Sequence, residues 1–94
     1  MNEQKTEQIK SILKSWNPLG TAAERITDLN DYDTEVGDIL FHLAIDYEFP
    51  EKKVTQKQVV KIVKEVLNEA FNLYLTSSDC DAPCEEVLRV LNEK

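Results

Sequence analysis

The chain has 94 residues, of which 41% are hydrophobic and 31% charged, a composition typical of one small globular domain. Its formal net charge of -7 disfavours sequence-independent nucleic-acid binding, which needs cationic side chains to displace the counterions of the phosphate backbone. No apolar run approaches the length of a membrane span or a signal-peptide core. We therefore expect one cytoplasmic domain over residues 1–94, with neither nucleic acid nor membrane as a partner.

The first predicted helix extends from about Glu3 to Trp16. It is expected to end before Pro18, because the residue that precedes a proline avoids the α region. Its apolar residues follow the i, i+3, i+4, i+7 spacing of one helical face, and they are Ile9, Ile12, Leu13 and Trp16.

The segment Thr21–Asn30 has two interpretations. Thr21 and Glu24 match a capping box, in which each residue satisfies a free backbone N–H of the other, and this pattern favours a short helix. An ordered loop is the alternative. The choice decides whether the fold has four helices or five.

The second predicted helix has Asp33 as its expected N-cap and Glu35 in its first turn, where the helix dipole favours negative charge. Phe41 and Ile45 widen its apolar stripe to a second face, so we expect neighbours on two sides. Gly37 costs about 1 kcal/mol relative to Ala inside a helix, and close approach of another backbone is one reason for it. The stripe itself comprises Val36, Ile39, Leu40, Leu43, Ala44 and Tyr47.

The third predicted helix opens at a capping box formed by Thr55 and Gln58, and it extends to about Leu75. A last helix is expected from about Pro83 to Asn92, because proline suits a first helical turn. Four or five helices with short connections predict an all-α fold, either a small bundle or an orthogonal array. The expected inward residues are Val59, Ile62, Val63, Val66, Leu67, Ala70, Phe71 and Tyr74, then Cys84, Val87, Leu88 and Leu91.

The two cysteines are expected to be free thiols, since disulfides are rare in a reducing cytosol. We expect Cys84 to be partly buried and Cys80 to be exposed. Two thiolates do not complete a zinc site, and their spacing is not that of a Cys-x-x-Cys redox motif. Tyr32 precedes the second helix and is expected to act as a staple that fixes the entry angle of the chain.

Charge is segregated along the chain. Residues 26–51 contain no Lys or Arg, whereas residues 52–64 contain five lysines and no acid. The acidic residues from Asp28 to Glu51 form what we call the acidic block. This block predicts either a solvated face that keeps the protein soluble or a docking surface for a basic protein partner. The residues that we predict to contact this partner are Asp31, Asp33, Glu35, Asp38, His42 and Asp46.

The only histidine suggests an alternative function in metal binding or metal sensing. Asp38, His42 and Asp46 are spaced i, i+4, i+8, but the two carboxylates are separated by about 12 Å of helix axis. One ion would therefore need a further ligand from another helix. The chain also lacks a Gly-rich phosphate loop, a Gly-x-Ser-x-Gly elbow and a Cys/His signature. We accordingly expect no enzymatic activity and no cofactor.

Two segments carry a family resemblance: Trp16-Asn17-Pro18-Leu19-Gly20, and Asp31-Tyr32-Asp33 followed by Glu35, Val36 and Ile39. This pattern resembles the YugE-like family, small acidic helical proteins of unknown function from Gram-positive bacteria. The resemblance spans roughly residues 9–75 and implies an all-α fold in a bacterial cytoplasm, with no activity or catalytic residues to carry over. By analogy, some small acidic bacterial proteins are immunity proteins that neutralise a toxin.

Overall fold

A computed structural model describes residues 3–20 and 32–92 of the chain. In these ranges the chain forms four α-helices and no β-strand, which confirms the predicted all-α class. The question of a fifth helix at Thr21–Asn30 lies outside the described residues. None of the described helices is both long and apolar enough to cross a membrane. The helices are α1 (Glu3–Trp16), α2 (Asp33–Tyr47), α3 (Gln56–Phe71) and α4 (Ser77–Leu91).

The helices share one core. α1 packs against α2 and α4, and α3 packs against the same two helices, while the backbones of α2 and α4 do not approach each other closely. The Lys5 ammonium also donates to the Leu91 carbonyl over 3.4 Å, which joins the start of α1 to the end of α4. Burial of the apolar faces supplies the main driving force for this arrangement. The most deeply buried side chains include Ile9, Leu13, Val36, Ile39, Leu43, Val59, Val63, Leu67, Cys84 and Val87.

The end of α1 confirms the prediction, and the start of α2 corrects one. α1 ends at Trp16, and Asn17 follows it in the left-handed region with φ 53°. The N-cap of α2 is Tyr32, not Asp33, and it is also left-handed, with φ 67°. Asp33 is the first helical residue, and its carboxylate lies 3.3 Å from the Lys10 ammonium. Asp33 therefore tethers α2 to α1 and does not cap its own helix.

The predicted capping box of α3 is confirmed. The Thr55 hydroxyl accepts from the Gln58 N–H over 3.2 Å, and the Gln58 side chain accepts from the Thr55 N–H over 2.9 Å. The helix ends at Phe71, however, and not near Leu75. Asn72 turns into the left-handed region with φ 54° and ends the helical hydrogen bonding.

Two hydrogen bonds from the side-chain amide of Asn68 hold the connection after α3 in place. The Asn68 side chain accepts from the Leu75 N–H over 2.8 Å and donates to the Leu75 carbonyl over 3.1 Å. Tyr74 lies in this connection, outside α3, and is 89% exposed. Its predicted inward position was wrong, and so was that of Ala70, which is exposed as well.

α4 begins six residues earlier than predicted, at Ser77. The Thr76 hydroxyl accepts from the Asp79 N–H over 3.2 Å, and the Asp79 carboxylate accepts from the Thr76 N–H over 2.9 Å. This capping box places Pro83 inside the helix. It also brings Cys80 to the inward side, where it is fully buried, so its predicted exposure was wrong.

Candidate partner-binding surface

The outward side of α2 carries large apolar side chains. Phe41 is 59% exposed and Ile45, one helical turn later, is 61% exposed. The prediction of a second buried face was therefore wrong, because no described helix covers this side. Ala44 is exposed as well, although the apolar stripe placed it inward. α2 buries one face only, mainly through Val36, Ile39 and Leu43.

Three of the predicted partner-binding residues lie beside this apolar pair. Asp38, His42 and Asp46 are exposed on α2, and successive members are one helical turn apart. The imidazole of His42 meets the ring of Phe41 edge to face, with ring centroids 5.7 Å apart and planes at 78°. We call the surface formed by these residues the outer face of α2: Asp38, Phe41, His42, Ile45 and Asp46.

Two of the other predicted residues, Asp33 and Glu35, do not belong to the outer face. Asp33 is occupied by its ion pair with Lys10. Glu35 is only 8% exposed, so its carboxylate is not presented to a protein partner. Asp31 lies outside the described residues. The acidic block of the sequence therefore divides into residues that serve the fold and residues that face solvent.

The outer face of α2 carries negative charge without an ion-pair partner in the described residues. Neither Asp38 nor Asp46 forms an ion pair with another residue of the described ranges. Their charges are therefore not compensated locally, and the protein as a whole is strongly acidic. Exposed carboxylates beside uncovered apolar area can attract a basic surface and then exclude water from the contact.

The described residues give His42 no set of metal ligands. Across residues 3–20 and 32–92 there is no group of three or more His, Cys, Asp or Glu side chains that could hold a metal ion. Asp38 and Asp46 flank His42 on opposite turns, about 6 Å along the axis in each direction. Metal binding at this histidine thus stays a prediction without structural support.

The two cysteine thiols are buried and have low nucleophilic reactivity near neutral pH. Both are free and fully buried, one turn apart on α4, so the expected partial burial of Cys84 was an underestimate. Burial raises the pKa of the Cys80 thiol to about 11 and that of Cys84 to about 12. Because the thiolate is the reactive form, thiols with such pKa values are poor nucleophiles near neutral pH.

Sequence reasoning missed the most distinctive part of this surface. Phe41 and Ile45 were assigned to a core because apolar residues usually are buried. With Phe41 and Ile45 included, apolar residues surround most of the helix, and such a helix is fully buried only when neighbours enclose it. A chain of 94 residues with four or five helices has few neighbours to do so, and this was the signal for exposure.

Comparisons of the chain with known protein families, with curated proteins and with solved structures find no match.

Proposed function

We propose that the chain is a non-catalytic protein-binding domain and that the outer face of α2 binds a partner with basic residues around an apolar socket. The observation that carries this proposal is the exposure of Phe41 and Ile45 together. Large apolar side chains that are contiguous, exposed and rimmed by polar groups are typical of interaction sites. Aromatic anchors at such sites often supply most of the binding energy.

The flanking charges define the partner further. Asp38 and Asp46 would pair with Lys or Arg side chains at the rim of the contact. Their attraction would accelerate association, and the association rate would fall as salt screens the charges. One concrete version of this function, proposed by analogy, is an immunity-like domain that covers a basic functional surface of a toxin.

The test combines capture of the partner with matched charge reversals. The first variant carries Asp38→Lys and Asp46→Lys on the outer face. The control carries Glu65→Lys and Glu69→Lys, two exposed acids one turn apart on α3, and so makes the same change in net charge. Proteins captured from the native cytosol by the unaltered domain are compared with those captured by each variant.

The proposal expects a specific protein that the unaltered domain and the α3 control retain and that the outer-face variant loses. The affinity of this captured protein for the outer-face variant should be lower by about tenfold or more, since two attractive contacts become repulsive. A Phe41→Ser, Ile45→Ser variant should lose the same protein while keeping a helical circular dichroism spectrum. Equal retention by all variants would refute the assignment of this face.

A further inference from the structure

A second surface, distinct from the outer face of α2, forms a concave groove of about 750 Å³. It lies between the first half of α3, the end of α2 and the start of α4. Its apolar part includes Val60, which is buried, and Tyr47, which is half-buried. A concave site with an apolar wall and a few polar groups is the usual form of a small-molecule binding site, and this volume is in the usual range.

The groove gathers cationic side chains in an acidic protein. Lys57, Lys61 and Lys64 all line it, and their spacing places them on one side of α3. The Lys64 ammonium donates to the Ser77 hydroxyl of α4 over 3.3 Å, which holds it toward the groove. Lys57 and Lys61 form no ion pair within the described parts of the chain.

The groove also contains one carboxylate. Asp81 lines the groove, and its carboxylate oxygen accepts from the Gln56 side-chain amide over 2.8 Å. The amide fixes the position of the carboxylate without neutralising it. Three ammonium groups against one carboxylate leave the groove with a positive balance, opposite in sign to the net charge of the protein.

We propose that this groove binds a small organic anion with an apolar body. The carboxylate, sulfonate or phosphate group of the ligand lies among Lys57, Lys61 and Lys64, and its apolar body covers Tyr47 and Val60. The charge of the groove selects an anion, and its apolar wall favours an amphiphile over a fully hydrated ion. The lysines span only about 10 Å along α3, which suits one small molecule better than a long acidic peptide.

This proposal does not depend on the proposed partner-binding function, because it uses a different surface and different residues. The probe is 1-anilinonaphthalene-8-sulfonate, which joins an aromatic body to one sulfonate. N-phenyl-1-naphthylamine has the same aromatic body without the anion, and sodium phosphate provides an anion without the body. Fluorescence titration gives the affinity, and amide chemical shifts of the labelled protein locate the site.

The variant pair separates the groove from general electrostatics. Lys57→Gln with Lys61→Gln removes two charges from the groove. Lys52→Gln with Lys53→Gln removes two exposed charges from the preceding connection, outside the groove. We expect the groove variant to bind the sulfonate probe about tenfold more weakly, because two attractive charges are lost. The control variant should bind it as the unaltered protein does.

Saturable binding of one probe molecule, with shifts centred on Lys57, Val60 and Lys61, would support the site. The neutral probe should bind much more weakly, and phosphate alone should not displace the sulfonate probe. Shifts centred on the outer face of α2 would overturn the proposal, as would equal losses in both variants. Two competitors test the size of the ligand: laurate is a small anion with an apolar body, and poly-glutamate is a long acidic peptide. The proposal would also be overturned if poly-glutamate displaced the probe at a lower concentration than laurate does.

Discussion

Tyr32 and Phe71 meet edge to face, with ring centroids 6.1 Å apart and planes at 88°. This contact joins the N-cap residue of α2 to the last residue of α3. Tyr32 has left-handed backbone geometry, which costs a residue other than glycine roughly 1–2 kcal/mol. Burial of its ring and the contact with Phe71 offset that cost. The residue thus serves as an aromatic anchor between two helices.

We predict that the ring of Tyr32 contributes far more to stability than its hydroxyl does. Within the described residues the buried hydroxyl has no hydrogen bond of good geometry. Burial raises the pKa of Tyr32, and a weak contact of its hydroxyl with the Leu19 backbone opposes that shift in part. Tyr32→Phe should change the free energy of unfolding by less than about 1 kcal/mol, whereas Tyr32→Ala should cost about 3–5 kcal/mol. Urea unfolding measures both, and similar losses in the two variants would show that the hydroxyl is bonded.

A second prediction concerns Gly37. It is exposed within α2, and a Cβ atom built on it has no neighbouring atom within 4 Å. Among the described residues, no backbone therefore approaches this position as closely as the sequence suggested. Gly37→Ala should raise the free energy of unfolding by about 0.5–1 kcal/mol, since alanine favours the helix. The control is Gly20→Ala, which should destabilise because Gly20 has φ 59°; a loss of stability at both positions would contradict the prediction.

Helix boundaries show what the sequence could and could not predict. The start of α3 was predictable because Thr55 and Gln58 are themselves the residues that bond across the cap. The same local signal exists at Thr76 and Asp79, but the polar residues there suggested a break and Pro83 suggested a later start. The end of α3 depends on the left-handed turn at Asn72, which periodicity alone does not reveal.

The candidate surface was harder to predict than the helices. The exposure of Asp38, His42 and Asp46 followed from their polarity. The exposure of Phe41 and Ile45 depends on which neighbours α2 acquires, and this is a tertiary property. The burial of Glu35 has the same origin, because the helix rotates to bury Val36 and Ile39 and carries Glu35 inward with them.

A third prediction tests the early start of α4. Thr76→Ala removes the hydroxyl that accepts from the Asp79 N–H and should lower the free energy of unfolding by about 1 kcal/mol. Thr76→Ser keeps the oxygen and should cost much less. If α4 instead began near Pro83, the alanine and serine variants would have the same stability in urea unfolding.

A fourth prediction addresses metal binding at His42. Because the described residues supply no group of three ligands, we expect zinc, nickel or manganese to leave the melting temperature unchanged. A ligand that binds only the folded state would raise the melting temperature with concentration. A rise that disappears in His42→Ala would overturn this expectation and favour a metal-sensing domain. The variant Asp38→Asn would then test whether the preceding turn supplies a ligand.

The last prediction follows from the buried thiols of α4. In the unfolded chain the cysteines lose their protons around the ordinary pKa of 9.0, whereas in the folded protein their pKa values are about 11 and about 12. Above pH 9 the folded state therefore holds more protons than the unfolded state, and stability falls as pH rises. Below pH 9 both states hold these protons, so the thiols add no pH dependence there.

The measurement is the free energy of unfolding between pH 8 and pH 10.5, with a reducing agent present. Each buried thiol should contribute a downward slope of at most about 1.4 kcal/mol per pH unit above pH 9. A Cys80→Ala, Cys84→Ala variant should be less stable at pH 7 because it leaves small cavities, yet its stability should fall less steeply at high pH. The other ionisable groups are common to both proteins, so the difference in slope isolates the thiols. Identical slopes would mean that the thiols ionise as readily in the folded protein as in the unfolded chain.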